Sequence, residues 1–317
     1  GAEGAEVASP AAAKAQADAA ATTSDLQKSP RRIAVCFPAP TGVGADILRT
    51  AAGAASRKRR NRAGSSSEAP MSDVPRPLTV VTDEQRLVVE EIARFNEEVV
   101  RPRVKGMDRE GKLDPEILRR LFEMGLMGIE APEKYGGAGM SFSETILAVM
   151  ELAKADPSVA VVCDVQNTLV VDALNRFGDE SQRAEWLPRL ARDTVGAFAL
   201  SEAGAGSDAF ALRTRAERVA GGWRLDGAKL WITNAAEAGI FLVFANAAPE
   251  KGYKGITCFV VERDDSGFSV GRKEDKLGIR ASSTAELVMD GCFVPDGRVL
   301  GDVGVGYRVA IETLNEG

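Results

Sequence analysis

The residues best suited to bind a cofactor form the segment Ser201 to Asp208, which reads SEAGAGSD. This segment follows a β-rich run, and Gly204 and Gly206 carry no Cβ, so backbone N–H groups there can approach a ligand closely. Such a loop suits a pyrophosphate, although its spacing matches neither GxGxxG before a dinucleotide-binding helix nor the phosphate-binding GxxxxGK[ST]. A flexible turn of small residues would have the same composition, so the segment alone leaves both interpretations open.

Residue types that are absent or widely spaced exclude several kinds of catalytic and metal site. The 317 residues include no histidine, which excludes Ser-His-Asp catalysis, Cys-His catalysis and HExxH metal sites within this sequence. Cys36, Cys163, Cys258 and Cys292 are widely spaced and form no CxxC pair, so we predict reduced, mostly buried thiols and no metal site. Any chemistry must therefore use carboxylates, hydroxyls or a bound cofactor.

Composition indicates a soluble globular protein with more than one domain, since single cores usually stop growing near ~250 residues. Hydrophobic residues make up 44% of the chain and charged residues 27%. We find no run near the ~20 apolar residues that a membrane span needs. The net charge of -6 argues against nucleic acid as the main partner, because phosphate binding requires a basic surface.

Residues 1–75 differ from the rest in being rich in Ala, Ser, Gly and Pro, and we predict that they are disordered. The segment from Lys28 to Arg62 contains many basic residues and a single acidic residue, Asp46, which is the charge composition of an organelle transit peptide. Met71 stands just before the first well-patterned segment, however, so translated upstream sequence is nearly as good an explanation of residues 1–70.

Helical periodicity follows, and we predict an all-helical domain over residues 76–193. Thr82 and Gln85 make a capping box ahead of apolar residues at helical spacing. A second predicted helix begins at Asp114–Pro115 and ends at Gly125. Three more are predicted at about 143–153, 158–176 and 181–191.

After Thr194 the pattern changes to short β-rich runs, which predict a β-barrel or sandwich domain over residues 194–303. The predicted strands are 197–201, 212–219, 223–225, 229–233, 241–245, 256–262, 268–272 and 285–289, with turns at 220–222, 226–227 and 265–267. Helical spacing returns at Val305. We therefore predict a multidomain α+β fold in which residues 304–317 begin a truncated C-terminal helical domain.

Three motifs in order give the glycine loop a more specific meaning. ALSE, GAGSD and, about twenty residues later, LDGAKLWITN resemble the acyl-CoA dehydrogenase family, and the resemblance runs from about Pro77 to the end of the chain. GLMGIE, ELAKADPSVAV and KLGIRASST are most similar to members acting on short or branched chains such as 2-methylbutyryl-CoA. The resemblance implies FAD-dependent α,β-dehydrogenation of an acyl-CoA to the trans-2-enoyl-CoA, in branched amino-acid or fatty-acid catabolism.

The resemblance also implies where FAD and substrate would bind. The implied cofactor contacts are Phe198, Leu200, Ser201, Gly206, Ser207, Trp231, Ile232 and Thr233, with Trp231 against the isoalloxazine ring and the Thr233 hydroxyl near flavin N5. The implied substrate contacts are Ser207, Tyr253, Tyr307, Asn315, Glu316 and Gly317. Without the resemblance, Trp231 would be interpreted as a core aromatic residue, Thr233 as an ordinary strand residue and Tyr253 as a surface turn residue.

The same resemblance implies that no catalytic residue lies in this chain. The family's base is normally a glutamate of the C-terminal helical domain, expected beyond Gly317. A minority of members place it on the helix where this chain ends, but Glu316 stands one residue early there, and one residue rotates a helical position by ~100°. We therefore predict that the full-length protein is active and that this chain alone is not.

The implied partners are an acyl-CoA substrate and electron-transferring flavoprotein, in a homotetramer, with no metal, nucleic acid or membrane span. The implied location is the mitochondrial matrix, or the bacterial cytoplasm if residues 1–70 are not a transit peptide. Two alternatives remain open. One is an acyl-CoA oxidase, in which the reduced flavin reacts with oxygen, and the other is a non-catalytic truncated fragment that binds flavin weakly or not at all.

Overall fold

The computed structural model describes residues 81–315. Helices occupy the first part of this range, an eight-stranded β-sheet follows, and a further helix comes after the sheet. This order confirms the predicted α+β fold class, while the predicted domain boundaries remain predictions. The sequence expectations for residues 1–75, Glu316 and Gly317 lie outside the described residues.

Seven α-helices precede the sheet in the described range, and five of them begin after a capping side chain, at Thr82, Asp114, Ser141, Asp156 and Asp179. They are α1 Asp83–Phe95, α2 Val104–Glu110, α3 Pro115–Glu123, α4 Phe142–Ala153, α5 Pro157–Asp164, α6 Asp172–Phe177 and α7 Glu180–Arg192. Two π-helical segments, Asn96–Val100 and Val165–Val171, and two 3-10 segments, Arg101–Arg103 and Glu133–Tyr135, complete this part of the described chain. The second π segment joins α5 to α6, so the predicted helix 158–176 is one helical run with a π segment inside it.

Local hydrogen bonds explain where α1 and α3 begin. The Gln85 backbone N–H donates to the Thr82 hydroxyl at 3.2 Å, and the Thr82 N–H donates to the Gln85 side chain at 3.0 Å, which completes the capping box. Asp114 accepts from the Glu116 N–H at 2.8 Å. The sequence analysis missed α2, because among its residues only Met107 is buried and no apolar periodicity marks the helix.

One helical run among the described residues, Pro157–Phe177, has the length and composition of a membrane span. Of its most apolar window, 78% is buried inside the protein. A core helix meets the same criterion of length and composition, and burial accounts for the apolar side chains of this one.

The strands are β1 Val195–Ala199, β2 Arg215–Val219, β3 Gly222–Thr233, β4 Ala238–Asn246, β5 Ile256–Glu262, β6 Phe268–Lys273, β7 Thr284–Pro295 and β8 Val299–Leu300. The sheet order is β6-β7-β3-β2-β4-β5-β8, and β1 pairs with β4 in parallel. Short 3-10 segments lie at Pro249–Gly255 and Asp296–Arg298, and helix α8 spans Gly306–Leu314.

The sheet bends so that strands that are not neighbours in it pack against each other. The rings of Phe241 on β4 and Phe268 on β6 have their centroids 4.7 Å apart. Trp223 on β3 meets Phe259 on β5 at 5.7 Å. These contacts lie inside the hydrophobic core, and they are the packing that a barrel or sandwich requires.

The predicted turn at residues 226–227 is wrong, because β3 runs through it as a single strand. Gly227 has φ 147° and sits at a shift in the β3–β7 register. A Cβ on this glycine would lie 2.8 Å from the Thr214 Cα. The glycine therefore marks a bulge with a close backbone approach, a role that resembles a turn signal in sequence.

Candidate functional site

The glycine loop, residues 201–208, leaves the end of β1 and folds back on itself. The Glu202 N–H donates to the Ala205 carbonyl at 3.2 Å, and the Ala205 N–H donates to the Glu202 carbonyl at 3.1 Å. This antiparallel bridge closes a tight turn around Gly204, whose position is exposed. The loop is thus a hairpin closed by two backbone hydrogen bonds within the described chain.

Gly204 and Gly206 face open space. A Cβ added to either would meet no atom within 4 Å, in contrast to Gly227. Packing within the chain therefore does not require a glycine at either position. An empty zone in front of a backbone without side chains is what a cofactor pyrophosphate needs for close approach, so this loop fits the implied FAD.

Trp231 has an unusual backbone that turns its ring toward solvent. Its φ is 59°, in the left-handed region, and its side chain is 55% exposed. A bulky residue in this region is a conformational outlier that the surrounding structure must hold in place. The core-aromatic interpretation of Trp231 is therefore wrong, and the exposed indole is available as a stacking surface for a planar ring.

The loop and the tryptophan are brought together by one backbone hydrogen bond. The Leu230 N–H donates to the Ser201 carbonyl at 2.9 Å, which places the start of the glycine loop beside the residue before Trp231. Ser201 and Thr233 are half-buried, and Ser207 is exposed. The two sequence segments predicted to hold a flavin are therefore adjacent in the fold.

Three of the predicted cofactor contacts have side chains that point into the core. Phe198, Leu200 and Ile232 are 9%, 6% and 2% exposed, and the Phe198 ring packs on Phe244 with centroids 4.8 Å apart. Their side chains support the site from behind.

A buried ion pair lies behind the loop, and the sequence analysis did not identify it. Lys229 on β3 is fully buried, and its Nζ donates to Glu202 Oε1 at 2.7 Å and to the Leu200 carbonyl at 3.2 Å. Lys229 occupies an inward-facing position of β3, between the buried Leu225 and Ile232. A lysine at a position where the strand alternation predicts an apolar residue was the signal that could have revealed the pair.

The electrostatics of this pair follow from its burial. Burial lowers the pKa of Lys229 to about 8, against the opposing influence of the Glu202 carboxylate. For Glu202, burial raises the pKa, but Lys229 together with hydrogen bonds from Thr214 and Arg213 outweighs it, and the net pKa is lowered. Both groups are therefore charged at neutral pH.

An aromatic cluster joins the end of the glycine loop to α8. The rings of Tyr253 and Tyr307 lie 5.0 Å apart, nearly perpendicular, and Phe210 contacts Tyr307 at 6.5 Å in an edge-on arrangement. Tyr253 is 49% exposed. The structure thus brings together two predicted substrate contacts and adds Phe210, which the sequence analysis missed. Asn315 is exposed just after the end of α8.

The remaining reactive groups are held inside the protein. Cys163, Cys258 and Cys292 are free and buried, and burial raises the pKa of Cys163 and Cys292 to about 12. Within residues 81–315, no group of three or more Cys, Asp or Glu side chains is placed to hold a metal ion. The predicted burial of these three thiols is confirmed, while Cys36 lies outside the described residues.

Comparison with known proteins identifies relatives of this chain. The N-terminal domain of acyl-CoA dehydrogenase matches residues 82–194, and the middle domain matches residues 197–292. A probable short/branched chain specific acyl-CoA dehydrogenase of Dictyostelium discoideum is 53% identical over 76% of this chain and 59% of its own length. The mitochondrial short/branched chain specific acyl-CoA dehydrogenase of Rattus norvegicus is 48% identical over 76% of this chain and 56% of its own.

A solved structure adds a flavin complex to these relatives. A glutaryl-CoA dehydrogenase of Mycobacterium smegmatis in complex with FADH2 is 33% identical, with a TM-score of 0.68, covering 74% of this chain and 59% of that one. The chain therefore spans somewhat more than half the length of these three proteins. On the two matching domains and these identities, the chain belongs to the acyl-CoA dehydrogenase family.

Proposed function

We propose that this chain forms the flavin-binding part of an enzyme that dehydrogenates a short or branched-chain acyl-CoA, such as 2-methylbutyryl-CoA, to the trans-2-enoyl-CoA. The observation that carries the proposal is the hydrogen bond from Leu230 to Ser201, which sets the strained, exposed Trp231 beside the open glycine loop. A planar ring stacked on the indole would have its phosphate arm within reach of the loop backbone.

Each candidate residue has a distinct part in this proposal. The indole of Trp231 supports the isoalloxazine ring, the backbone around Gly206 and Ser207 approaches the pyrophosphate, and the hydroxyls of Ser201 and Thr233 face the polar edge of the ring. Bound FAD supplies the hydride acceptor. The chain's own contribution is to hold the acceptor in one orientation and to keep water from the reacting atoms.

The substrate is assigned to the other end of the loop. Tyr253, Tyr307 and Phe210 form an aromatic wall against which the thioester arm of an acyl-CoA would lie. Ser207 and Asn315 are exposed, and by resemblance to the family they would contact the same arm. Glu316 and Gly317 belong to the substrate proposal by resemblance to the family.

The proposal assigns removal of the α-proton to a glutamate that is not among residues 1–317. The nearest candidate in the chain, Glu316, lies outside the described residues. Electron-transferring flavoprotein is the proposed electron acceptor, a homotetramer the proposed assembly, and the mitochondrial matrix the proposed location. The location is supported by the mitochondrial name of the rat relative.

The first experiment tests flavin binding. The purified 317-residue chain is titrated with FAD, and both the visible flavin absorbance and the quenching of tryptophan fluorescence are followed. We expect Trp231→Ala to weaken binding by about tenfold, through loss of ~1.4 kcal/mol of stacking. Phe293→Ala is the matched control, because Phe293 is another exposed aromatic residue of the same sheet, at 44% exposure. A chain that does not bind FAD, or equal effects of the two variants, would refute the proposal.

The second experiment identifies the reaction. The product of the complete coding sequence is assayed with 2-methylbutyryl-CoA and with straight short-chain acyl-CoAs, using electron-transferring flavoprotein as acceptor. Enoyl-CoA formation that depends on this acceptor is the expected result. Peroxide release without the acceptor would instead identify an acyl-CoA oxidase.

A further inference from the structure

The glycine loop and the tryptophan share one internal anchor. Glu202 lies inside the loop, and Lys229 lies two residues before Trp231 on β3. Their side chains meet at 2.7 Å, with exposures of 7% and 0%. Neither side chain faces the open space in front of Gly204 and Gly206, so the pair lies on the inner side of the site.

The Glu202 carboxylate connects three segments of chain. It accepts from Lys229 on β3, from the Arg213 N–H at 2.6 Å, and from the Thr214 hydroxyl and N–H at 2.5 and 3.1 Å, just before β2. The Glu202 backbone closes the hairpin with Ala205. Four donors satisfy the carboxylate fully, so its position determines where the loop stands relative to β3.

Lys229 also marks the point at which β3 leaves regular pairing. It is the last residue in register with β7, opposite Leu287, before the shift that ends at Ile232. The strained Trp231 lies within that shift. A left-handed tryptophan persists only when its neighbours hold it there, and the buried ammonium of Lys229 is the nearest anchored side chain before it in the strand.

We infer that the Lys229–Glu202 pair is a positioning device for the flavin, setting the separation between the glycine loop and the Trp231 ring. This inference rests on the proposed function. The pair does not touch the cofactor and acts through the hydrogen bond from Leu230 to Ser201 and through the hairpin at Glu202. If the loop shifted relative to β3, the distance between the loop amides and the Trp231 ring would change. A single rigid ligand could then no longer contact both.

Stability alone is a weak reason for such a pair. Burying two charges costs desolvation free energy, and well-packed apolar residues of similar volume are often equally stable in the same place. What an apolar pair would not supply is a directional link from a single carboxylate to four donors. The geometry therefore points to orientation as the contribution of these two residues.

The test separates orientation from stability by measuring both on the same variants. Lys229→Met, and Lys229→Met combined with Glu202→Gln, are made in the 317-residue chain. FAD affinity, the visible circular dichroism of bound flavin, and unfolding of the flavin-free protein are recorded for each. We expect the double variant to recover part of the lost stability, while it still binds FAD about tenfold more weakly and with an altered flavin dichroism.

Arg298→Met is the matched control, because it removes two partly buried ion pairs elsewhere in the same sheet region. Arg298 lies 3.0 Å from Glu262 and 2.9 Å from Asp265, and its side chain is 20% exposed. We expect this change to lower stability without changing FAD affinity or the flavin dichroism.

The outcomes distinguish this inference from the function on which it rests. If the unmodified chain does not bind FAD, the proposed function fails. If the unmodified chain binds FAD and the folded double variant binds it with the same affinity and dichroism, the positioning role is refuted and the proposed function stands. If Lys229→Met alone does not fold, the double variant, which has no stranded charge, decides the question.

Discussion

Replacing Lys229 by methionine leaves the Glu202 carboxylate charged and buried without its cationic partner. Methionine fills a similar volume, so the cavity contribution is small and the lost interaction dominates. Breaking a buried pair in this way costs about 3–5 kcal/mol of unfolding free energy. Glu202 keeps three donors, from Arg213 and Thr214, which places the expected cost near the lower end of that range.

Adding Glu202→Gln removes the stranded charge. The amide oxygen can still accept from Thr214, although the amide NH2 group then faces the Arg213 N–H, which loses its acceptor. The double variant should therefore cost less than Lys229→Met alone, with a coupling of about 1–3 kcal/mol between the two sites. Urea unfolding followed by circular dichroism, on the unmodified chain, Lys229→Met, Glu202→Gln and the double variant, measures the four free energies that this coupling requires. Arg224→Met on the same strand is the exposed control, at 49% exposure, and should change stability by less than about 1 kcal/mol.

The reasoning is refuted if the double variant is no more stable than Lys229→Met. That result would mean that Glu202 carries no uncompensated charge once Lys229 is absent. The predicted difference between buried and exposed pairs is contradicted if Arg224→Met lowers the unfolding free energy as much as Lys229→Met does, since exposure would then make no difference to an ion pair of β3.

Three further predictions concern single positions. The pKa of Lys229 is about 8 in the folded chain, below the ~10.4 of a free lysine, so between these pH values the unfolded state binds more protons than the folded state. The unfolding free energy of the unmodified chain should therefore rise with pH across that window, relative to that of Lys229→Met. Urea unfolding at pH 7 and above pH 9 measures this difference. Gly206→Ala should leave the stability of the flavin-free chain within about 0.5 kcal/mol, because its Cβ meets no atom within 4 Å, yet weaken FAD binding in the same titration. Gly227→Ala should lower the unfolding free energy by more than about 1 kcal/mol, because φ is 147° and the Cβ would lie 2.8 Å from the Thr214 Cα; unchanged stability would contradict the observed close approach.

Local signals in the sequence identified helix starts that depend on only a few neighbouring residues. The capping box at Thr82 and the Asp114–Pro115 start of α3 were both found, because a helix end is determined by side chains three or four positions away. The turn predicted at Gly227 was wrong because the role of this glycine depends on a residue distant in the sequence. A glycine that permits close approach to Thr214, thirteen positions earlier in the chain, looks in sequence like a glycine that permits a turn.

The same distinction between local and long-range information applies to the candidate site. Motif order identified the glycine loop, Trp231 and the two tyrosines, since these residues carry the family's pattern in the sequence itself. Phe210 and the pairing of Lys229 with Glu202 were missed. The first depends on a ring contact made across almost a hundred residues, and the second depends on the glycine loop being brought beside β3.

The sequence by itself therefore determined the class of the fold, the family and the segments that could hold a flavin, because composition, periodicity and motif order are all properties of the chain read in one dimension. Only the tertiary structure decided that Trp231 faces outward in a left-handed conformation, that Gly204 and Gly206 face open space, and that one buried ion pair stands behind both. Burial, exposure and charge pairing depend on which distant residues come to lie together, and that information exists only once the chain is folded.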